Sequence, residues 1–572
     1  MSTGMRRGLT SYGDPGFSLY LRKAFLKAMG YSEDAVDRPI VGIADTSSAY
    51  NACHGAVPAL VEAVSRGVML AGGLPMPFPT ISIHESFAHP TSMFLRNLMA
   101  MDTEEMIKAQ PMDSAVLIGG CDKTIPAQLM GAASADVPIV SLIAGPMLTG
   151  RHRGEQLGAC TDCRRFWGKY RADEITRDEL DQINGRLAPT VGTCMVMGTA
   201  STMACIAEVL GVALPGSATI PAVHADRIRC AEASGRVAVE IARNGTKPSS
   251  ILTAASFRNA LIVLQAIGGS TNALVHLTAI ARRLEIKIDL ADVDAIGRTI
   301  PVLLDLKPIG QHYMEHFHWA GGLPRLLREL RQDLDLSTRN INGQTLAEIV
   351  DAAEDVPNQT IIRSRAKPLR SGGAIAVLQG NLAPGGAVIK VAAATERLLT
   401  HTGRAVVFNS AEDLATRIDD PDLDVTADDV LVLRNAGPKG APGMPEAGYL
   451  PIPRKLARKG VSDMVRISDA RISGTAFGTI VVHIVPEAFV GGPLAVVQNG
   501  DMIRLDIASR RLDLLVDEHE IQRRWESLAR PERAAGTQRG FGKLYVDTVL
   551  QADDGCDFDF LGPVKTKQSH GR

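Results

Sequence analysis

The chain predicts two domains, a doubly wound α/β domain over residues 1–362 and a β-barrel-like domain over residues 363–572. Three observations predict this. Its 572 residues exceed what one hydrophobic core ordinarily organises. The N-terminal part alternates short apolar runs with amphipathic stretches, the rhythm of parallel strand–helix–strand units. Beyond the polar stretch Glu354–Gln359 and the basic segment Arg363–Arg370, the texture changes to short β-rich runs broken by Gly, Pro and Asp.

The elements follow in order. Pro39–Asp45 reads as a buried strand, with a helix from about Pro58. Thr80–Ile83 and Ser114–Ile118 read as further strands, and Pro126 sits in the first turn of the next helix, where its missing N–H costs nothing. Val137–Ile143 closes this series. In the second half, the runs at 374–378, 387–391, 404–408, 430–433, 464–467 and 479–485 read as strands, and Met502–Ile507 with Arg511–Val516 as a hairpin.

Composition excludes several classes. A net charge of −2 gives no basic footprint for nucleic acid or an anionic membrane, and 4% aromatic residues supply no stacking platform for single strands. No apolar run approaches a membrane span, and the two N-terminal arginines lack an apolar segment behind them, so the chain reads as cytoplasmic. Eight cysteines in so long a chain are not a disulfide scaffold. Walker, G-x-S-x-G and H-E-x-x-H motifs are missing.

Three cysteines share one kind of address. Cys53 lies in the loop after the first strand, Cys121 just past the Ser114 strand, and Cys194 after Val191-Gly192, where it is expected to open a helix toward Leu210. Ligands in doubly wound sheets gather beyond the carboxyl ends of strands. Each thiol alone reads equally as a small buried apolar group; the three together suggest a metal centre. Cys160-x-x-Cys163 is the only such pair and lacks the second pair of a four-thiolate zinc site, so it reads as a structural or substrate-adjacent loop. Cys205, Cys230 and Cys556 read as bystanders.

Acidic residues occupy similar loops: Glu85, Asp122 and Glu446. Singly they are caps or solvated charges, and together they suit octahedral Mg²⁺. Lys123 is a surface amine, a partner of Asp122, or an amine modified to carry a metal-binding carboxylate. Ser473 stands at a turn leaving a β-run. Gly268-Gly-Ser-Thr-Asn272 caps a helix or holds an anion there.

These segments, Asn51-Ala-Cys-His54, Gly119–Thr124, Gly268–Asn272, Ala320–Pro324, Gly437–Glu446 and Asp469–Thr475, occur in order along nearly the whole chain. Together they resemble the dihydroxy-acid and phosphogluconate dehydratase family. The resemblance implies an α/β domain bearing an iron–sulfur cluster, a C-terminal β-barrel, and assembly into homodimers or homotetramers. It implies Cys53, Cys121 and Cys194 as cluster ligands, Glu85, Asp122, Glu446 and a carbamylated Lys123 as Mg²⁺ ligands, and Ser473 as catalytic base, with Thr475 positioning substrate. The third cysteine stands alone in Ala188-Pro-Thr-Val-Gly-Thr-Cys194, unlike the Cys-Pro-Gly-x-Cys element usual in the branched-chain biosynthetic enzymes. Thr161–Trp167 is similar to the aldonic-acid branch. That branch implies a sugar-acid dehydratase with a [2Fe–2S] cluster, [4Fe–4S] being the variant elsewhere in the family. The rival expectations are a dihydroxy-acid dehydratase of branched-chain synthesis and a non-catalytic iron–sulfur sensor. The tail Lys565–Arg572, with His570, is expected to be disordered or to reach a neighbouring subunit.

Overall fold

The computed structural model describes residues 4–529 and 531–563, so the tail Lys565–Arg572 lies outside the described residues. The N-terminal region is built on four parallel strands, β1 (Ile40–Asp45), β2 (Leu74–Pro79), β3 (Ser114–Gly119) and β4 (Ile139–Ile143), in the order β2-β1-β3-β4. Strands β1, β3 and β4 are almost entirely buried, as parallel strands covered by helices on both faces must be. One helix pair, Val57–Leu70 with Ala225–Asn244, covers one face, and Arg96–Ala109 with Thr124–Ala135 covers the other. The first pair approaches closely because Gly67 and Gly235 lack side chains; a Cβ on Gly67 would lie 2.0 Å from the Glu232 carbonyl oxygen.

The second strand differs from expectation. It is Leu74–Pro79, not Thr80–Ile83, despite three prolines. Leu74 and Thr80 donate to the carbonyls of Pro39 and Asp45 on β1, so the alternating Pro75, Pro77 and Pro79 turn their missing donors to the open edge. An edge strand is where a sheet tolerates proline.

A short hairpin, β5 (Gly150–His152) with β6 (Glu155–Leu157), leads to the Thr161–Arg171 helix. The C-terminal region is a closed eight-stranded barrel of β7 (Ala376–Gly380), β8 (Ala383–Ile389), β9 (Thr400–Phe408), β10 (Val430–Leu433), β11 (Arg466–Ser468), β12 (Ile480–Val485), β13 (Met502–Asp506) and β14 (Arg511–Leu514). Its order is β10-β11-β12-β8-β7-β14-β13-β9, closing where β9 pairs with β10. The expected hairpin is β13–β14, with Ile503 opposite Leu514. Ala376, Leu378, Ile389, Val407, Val432, Ile467, Val481 and Ile503 fill one continuous barrel core. The α/β fold with a C-terminal barrel therefore stands.

Candidate active site

Strand order fixes where the site lies. The chain leaves β1 toward β2 on one side and β3 toward β4 on the other, so the crevice between the ends of β1 and β3 is the switch point of the sheet. Cys53 and Cys121 stand on these two loops, both buried. His54 ties the loops together: its Nε2 accepts the N–H groups of Gly120 and Cys121, each at 3.1 Å, while Nδ1 faces the Thr46 carbonyl at 2.9 Å. That pattern selects the Nδ1–H tautomer, and burial pushes the imidazole down to about 4, keeping it neutral. Asn51 accepts the Cys53 N–H. The loop of Cys194 joins through Gly192, whose N–H donates to Ala52 and whose φ of +130° suits only glycine.

Cys194 does not open a helix as expected. The helix is Thr199–Val209, and residues 195–198 are instead tied to the 307–314 loop, Met197 donating to Lys307 and Met314 to Met195. The Cys160-x-x-Cys163 segment, read as a structural or substrate-adjacent loop, lies against the site. Cys160 caps the Thr161–Arg171 helix, and its Sγ lies 2.6 Å from that of Cys194. A hydrogen bond to a neighbouring thiol (Cys121 for Cys53, Cys160 for Cys194) and burial push the Cys53 and Cys194 thiols well above the usual range. His84 stands beside Cys53 and Cys121, ligand atoms within 4.8 Å of one another, so these residues could hold a metal ion. Cys205, Cys230 and Cys556 lie elsewhere, Cys205 and Cys556 in apolar surroundings.

Beside the thiols runs a chain of alternating charge. Lys123, fully buried, donates to Asp122 at 3.4 Å and to Glu85 at 3.2 Å. Arg471, also buried, donates to Glu85 at 2.9 Å, to Thr91 at 2.7 Å and to Glu446 at 2.6 Å. Ser92 donates to Glu85 as well. Burial would raise the Glu85 carboxyl, but Arg471 and Lys123 outweigh it and hold it well below the usual range. At Glu446 burial prevails and the carboxyl is raised. Glu85 and Glu446 each open a 3₁₀ turn, Glu85–Phe87 and Glu446–Tyr449, which aims the carboxylate inward. This set could hold a divalent ion: three carboxylates, each largely shielded from solvent, converge around Lys123 and Arg471. A carbamate on Lys123 would exchange a competing cation for a further oxygen ligand.

Ser473 comes from the barrel side, in the turn after β11, its Oγ 2.9 Å from that of Thr475. The turn is pressed onto the N-terminal region. Thr161 donates to the Thr475 carbonyl at 3.1 Å, and a Cβ on Gly474 would meet Ser270 at 2.7 Å. Ser270 Oγ accepts the Asn272 N–H at the start of the following helix. Lys390 is buried, donates to the Gly474 carbonyl at 3.3 Å, and burial pushes its amine down to about 7. Sequence reading gave no site role to Arg471, His54, His84 or Lys390, and read Cys160 as part of a structural or substrate-adjacent loop. Only Cys160 carried a local signal, its C-x-x-C spacing. A cleft of about 910 Å³ adjoins the site, with Arg164, Arg165, Trp167, Tyr449 and Phe477 on its walls. Arg164 stacks on Tyr449 and lies 4.0 Å from Glu446.

Comparison with known proteins agrees with this architecture. Residues 38–349 match the dihydroxy-acid/6-phosphogluconate dehydratase N-terminal model and residues 360–556 its C-terminal counterpart. The chain is 45% identical to the L-arabinonate dehydratase of Rhizobium leguminosarum, over 98% of this chain and 97% of that protein. It is 46% identical to the L-arabonate dehydratase of Azospirillum brasilense (95% and 94%) and 45% identical to the 6-deoxy-6-sulfo-D-gluconate dehydratase of Pseudomonas putida (92% and 91%). With both of its regions matched and its relatives aligned nearly end to end, the chain belongs to the dihydroxy-acid/6-phosphogluconate dehydratase family.

Proposed function

We propose that this dehydratase removes the C3 hydroxyl of an aldonate, a pentonate such as L-arabinonate or D-xylonate or a hexonate, to give the 2-keto-3-deoxy acid. One observation carries the reading: buried thiols, a buried carboxylate chain and the Ser473 turn meet at the switch point of the sheet, beneath a cleft with arginines on its wall. A [2Fe–2S] cluster on Cys53, Cys121 and Cys194, with Mg²⁺ on Glu85, Asp122, Glu446 and a carbamylated Lys123, would supply Lewis acidity for the departing hydroxyl and for charge developing beside the carboxylate.

The chain's own groups do the rest. Ser473 takes the C2 proton at Oγ, and Thr475 donates a hydrogen bond that holds this oxygen in place. A serine is far too weak a base unaided. Its alkoxide would be favoured by the metal ions when bound. Lys390, poised near neutrality, fixes the turn through the Gly474 carbonyl. Arg164 at the cleft wall meets an anionic substrate. The relatives that act on arabinonate and sulfogluconate support an aldonate as that substrate.

Among the described residues no helix is long and apolar enough to cross a membrane, which accords with a cytoplasmic enzyme. Assembly as a homodimer or homotetramer, without nucleic acid, is part of the proposal. The Pro15–Ala28 helix and its flanks leave Tyr12, Phe17, Tyr20, Phe25 and Met29 exposed, an apolar face suited to a second copy. Sedimentation of the purified protein tests this, and a monomer at micromolar concentration would refute it.

The function is tested with anaerobically reconstituted protein and a panel of pentonates, hexonates and dihydroxy-isovalerate, scoring the keto-deoxy product. At least one aldonate should turn over faster than dihydroxy-isovalerate. The reverse order would make the protein a branched-chain enzyme, and no product from any of them would favour a sensor. Ser473→Ala should keep its iron and lose about 10²–10⁴-fold in turnover; near-normal activity would remove Ser473 from the chemistry.

A further inference from the structure

The stretch Ala320–Pro324 plays no part in the site described above, yet its glycines bring two histidines together elsewhere. It closes the short helix Met314–Trp319 and opens the helix Gly322–Glu329. Gly322 lies against Thr219, whose Oγ1 a Cβ there would meet at 2.7 Å. His318 and Trp319, at the end of the short helix, thereby meet the start of the long helix Ala225–Asn244. The rings of His318 and Trp319 stand 5.9 and 5.3 Å from that of His224.

Three metal-binding side chains converge at this junction. One nitrogen each from His224 and His318 and one carboxylate oxygen of Asp226 lie within 4.8 Å of one another, and all three residues are half-buried. Donors about 2.1 Å from a zinc ion stand about 3–3.5 Å apart, so modest side-chain rotations close the gap. His224 is the N-cap residue of its helix, but its imidazole makes no capping hydrogen bond and is left to a ligand. Nδ1 of His318 lies 3.3 Å from Oγ1 of buried Thr219. With the Nδ1–H donated to that oxygen, Nε2 keeps its lone pair, the arrangement that orients metal-binding histidines. The neighbouring cations do not close the site. Arg227 is buried and turned away, donating to the carbonyls of Ser217 and Ile220. Arg229 pairs with Asp226, and an ion would have to displace this exposed guanidinium, whose hold is weak in water.

We propose that His224, Asp226 and His318 form a metal site, apart from the thiols and carboxylates of the active site, that takes a zinc-class divalent cation with water completing its shell. Two imidazoles and one carboxylate suit Zn²⁺ or Co²⁺ rather than Mg²⁺, which favours oxygen donors. The ion clamps the Met314–Trp319 helix to the Ala225–Asn244 helix. The far end of the short helix supports the active site: the Met314 N–H donates to the Met195 carbonyl beside Cys194, and the Tyr313 hydroxyl donates to Asp162 at 2.8 Å. The site therefore stiffens the scaffold and supplies no chemistry to the substrate.

The test adds Zn²⁺ or Co²⁺ to the anaerobically purified protein and to its His224→Ala, His318→Ala, Asp226→Asn and Arg229→Met variants. The readouts are metal retained after gel filtration, affinity by competition with a chromophoric chelator, thermal melting and the Co²⁺ difference spectrum. Wild type should take up about one further ion per chain and melt at least about 2 °C higher with it. The two alanine variants and Asp226→Asn should keep their metal-free melting temperature and bind at least about tenfold more weakly. Arg229→Met should bind more tightly, because Asp226 is then released. Co²⁺ should show bands of nitrogen and oxygen ligation that vanish in a His224→Ala/His318→Ala double variant. Wild-type affinity in the double variant, or a thiolate-to-cobalt charge-transfer band as the only signal, would overturn the proposal. So would a wild type that takes up no further ion, which would leave His224, His318 and Trp319 as an aromatic cluster alone. Displacement of Zn²⁺ by millimolar Mg²⁺ would overturn the zinc-class assignment, and unchanged affinity in both Asp226→Asn and Arg229→Met would take Asp226 out of the site.

Discussion

Arg471 holds together two carboxylates that would otherwise repel each other in a buried place. One of them, Glu85, is 386 residues away in the chain. Removing one partner of a buried ionic network leaves the others uncompensated, at about 3–5 kcal/mol. Arg471→Met should therefore lose stability on that scale in denaturant titration at neutral pH. Added Mg²⁺ should restore more stability to the variant than it adds to wild type, because Glu85 and Glu446 would then have no competing cation. A loss below about 1 kcal/mol would show that the carboxylates find other partners. Lys123→Ala should weaken Mg²⁺ binding measured by calorimetry at least tenfold; unchanged affinity would end the carbamate proposal. At this scale the sequence was legible where chemistry and address coincide: Cys53, Cys121, Glu85 and Asp122 all follow strand-end runs. Arg471 was hidden because one arginine among the charged residues says nothing about a partner hundreds of residues away.

Elements show a different kind of legibility. Long apolar runs gave β1, β3 and most barrel strands, because burial on both faces writes itself as unbroken Val, Ile and Leu. β2 carries three prolines, which fit a strand only at a sheet edge, and the local pattern does not contain its edge position. Cys160 was read only as part of a structural or substrate-adjacent loop because its C-x-x-C lacks a second pair, and its nearness to Cys194 depends on a packing the local pattern does not contain. β12 carries a further local exception. Its register against β8 shifts between Val482 and Val485, and His483 there has φ +56°. Burial, aided by the charge of Arg471, pushes the His483 imidazole down to about 3. The folded state thus binds that proton less readily than the unfolded chain does. The stabilisation is complete above pH about 6.5 and is lost as pH falls toward 3, at a limiting slope of about 1.4 kcal/mol per pH unit. His483→Asn keeps a residue that tolerates this φ but removes the titration. Its stability relative to wild type should be constant above pH 7 and improve steadily below pH 6. A difference that stays flat with pH would mean that His483 is solvated.

Across the whole molecule, the two regions are joined at more than the site. After the barrel and the Gly540–Thr548 helix, the chain returns to the N-terminal region. Arg96 donates to the carbonyls of Gly555 and Cys556, and Asn97 to that of Cys556. Asp557 makes a two-pronged pair with Arg283 at 2.6 and 3.0 Å, both side chains wholly buried. The α/β region and the barrel were readable from the change of texture along the chain, but this clasp was not, because residues 549–563 form no long strand or helix and their meaning lies in distant partners. The clasp matters to function because Ser473 and Glu446 come from the barrel side, whereas the thiols, Glu85 and Lys123 come from the α/β side. Catalysis needs the two regions held in register to a fraction of an ångström. Asp557→Ala takes from buried Arg283 its two-pronged partner, leaving Glu104 at 3.4 Å as its remaining acidic partner, and should cost about 3 kcal/mol. If the clasp couples the regions, calorimetry should show one unfolding transition in wild type and two in the variant, the earlier one belonging to the released region. Turnover should fall more than iron content, since each half of the site survives while their alignment does not. A single transition at the wild-type temperature would show that the Ser473 turn and the Arg471 network alone hold the regions together.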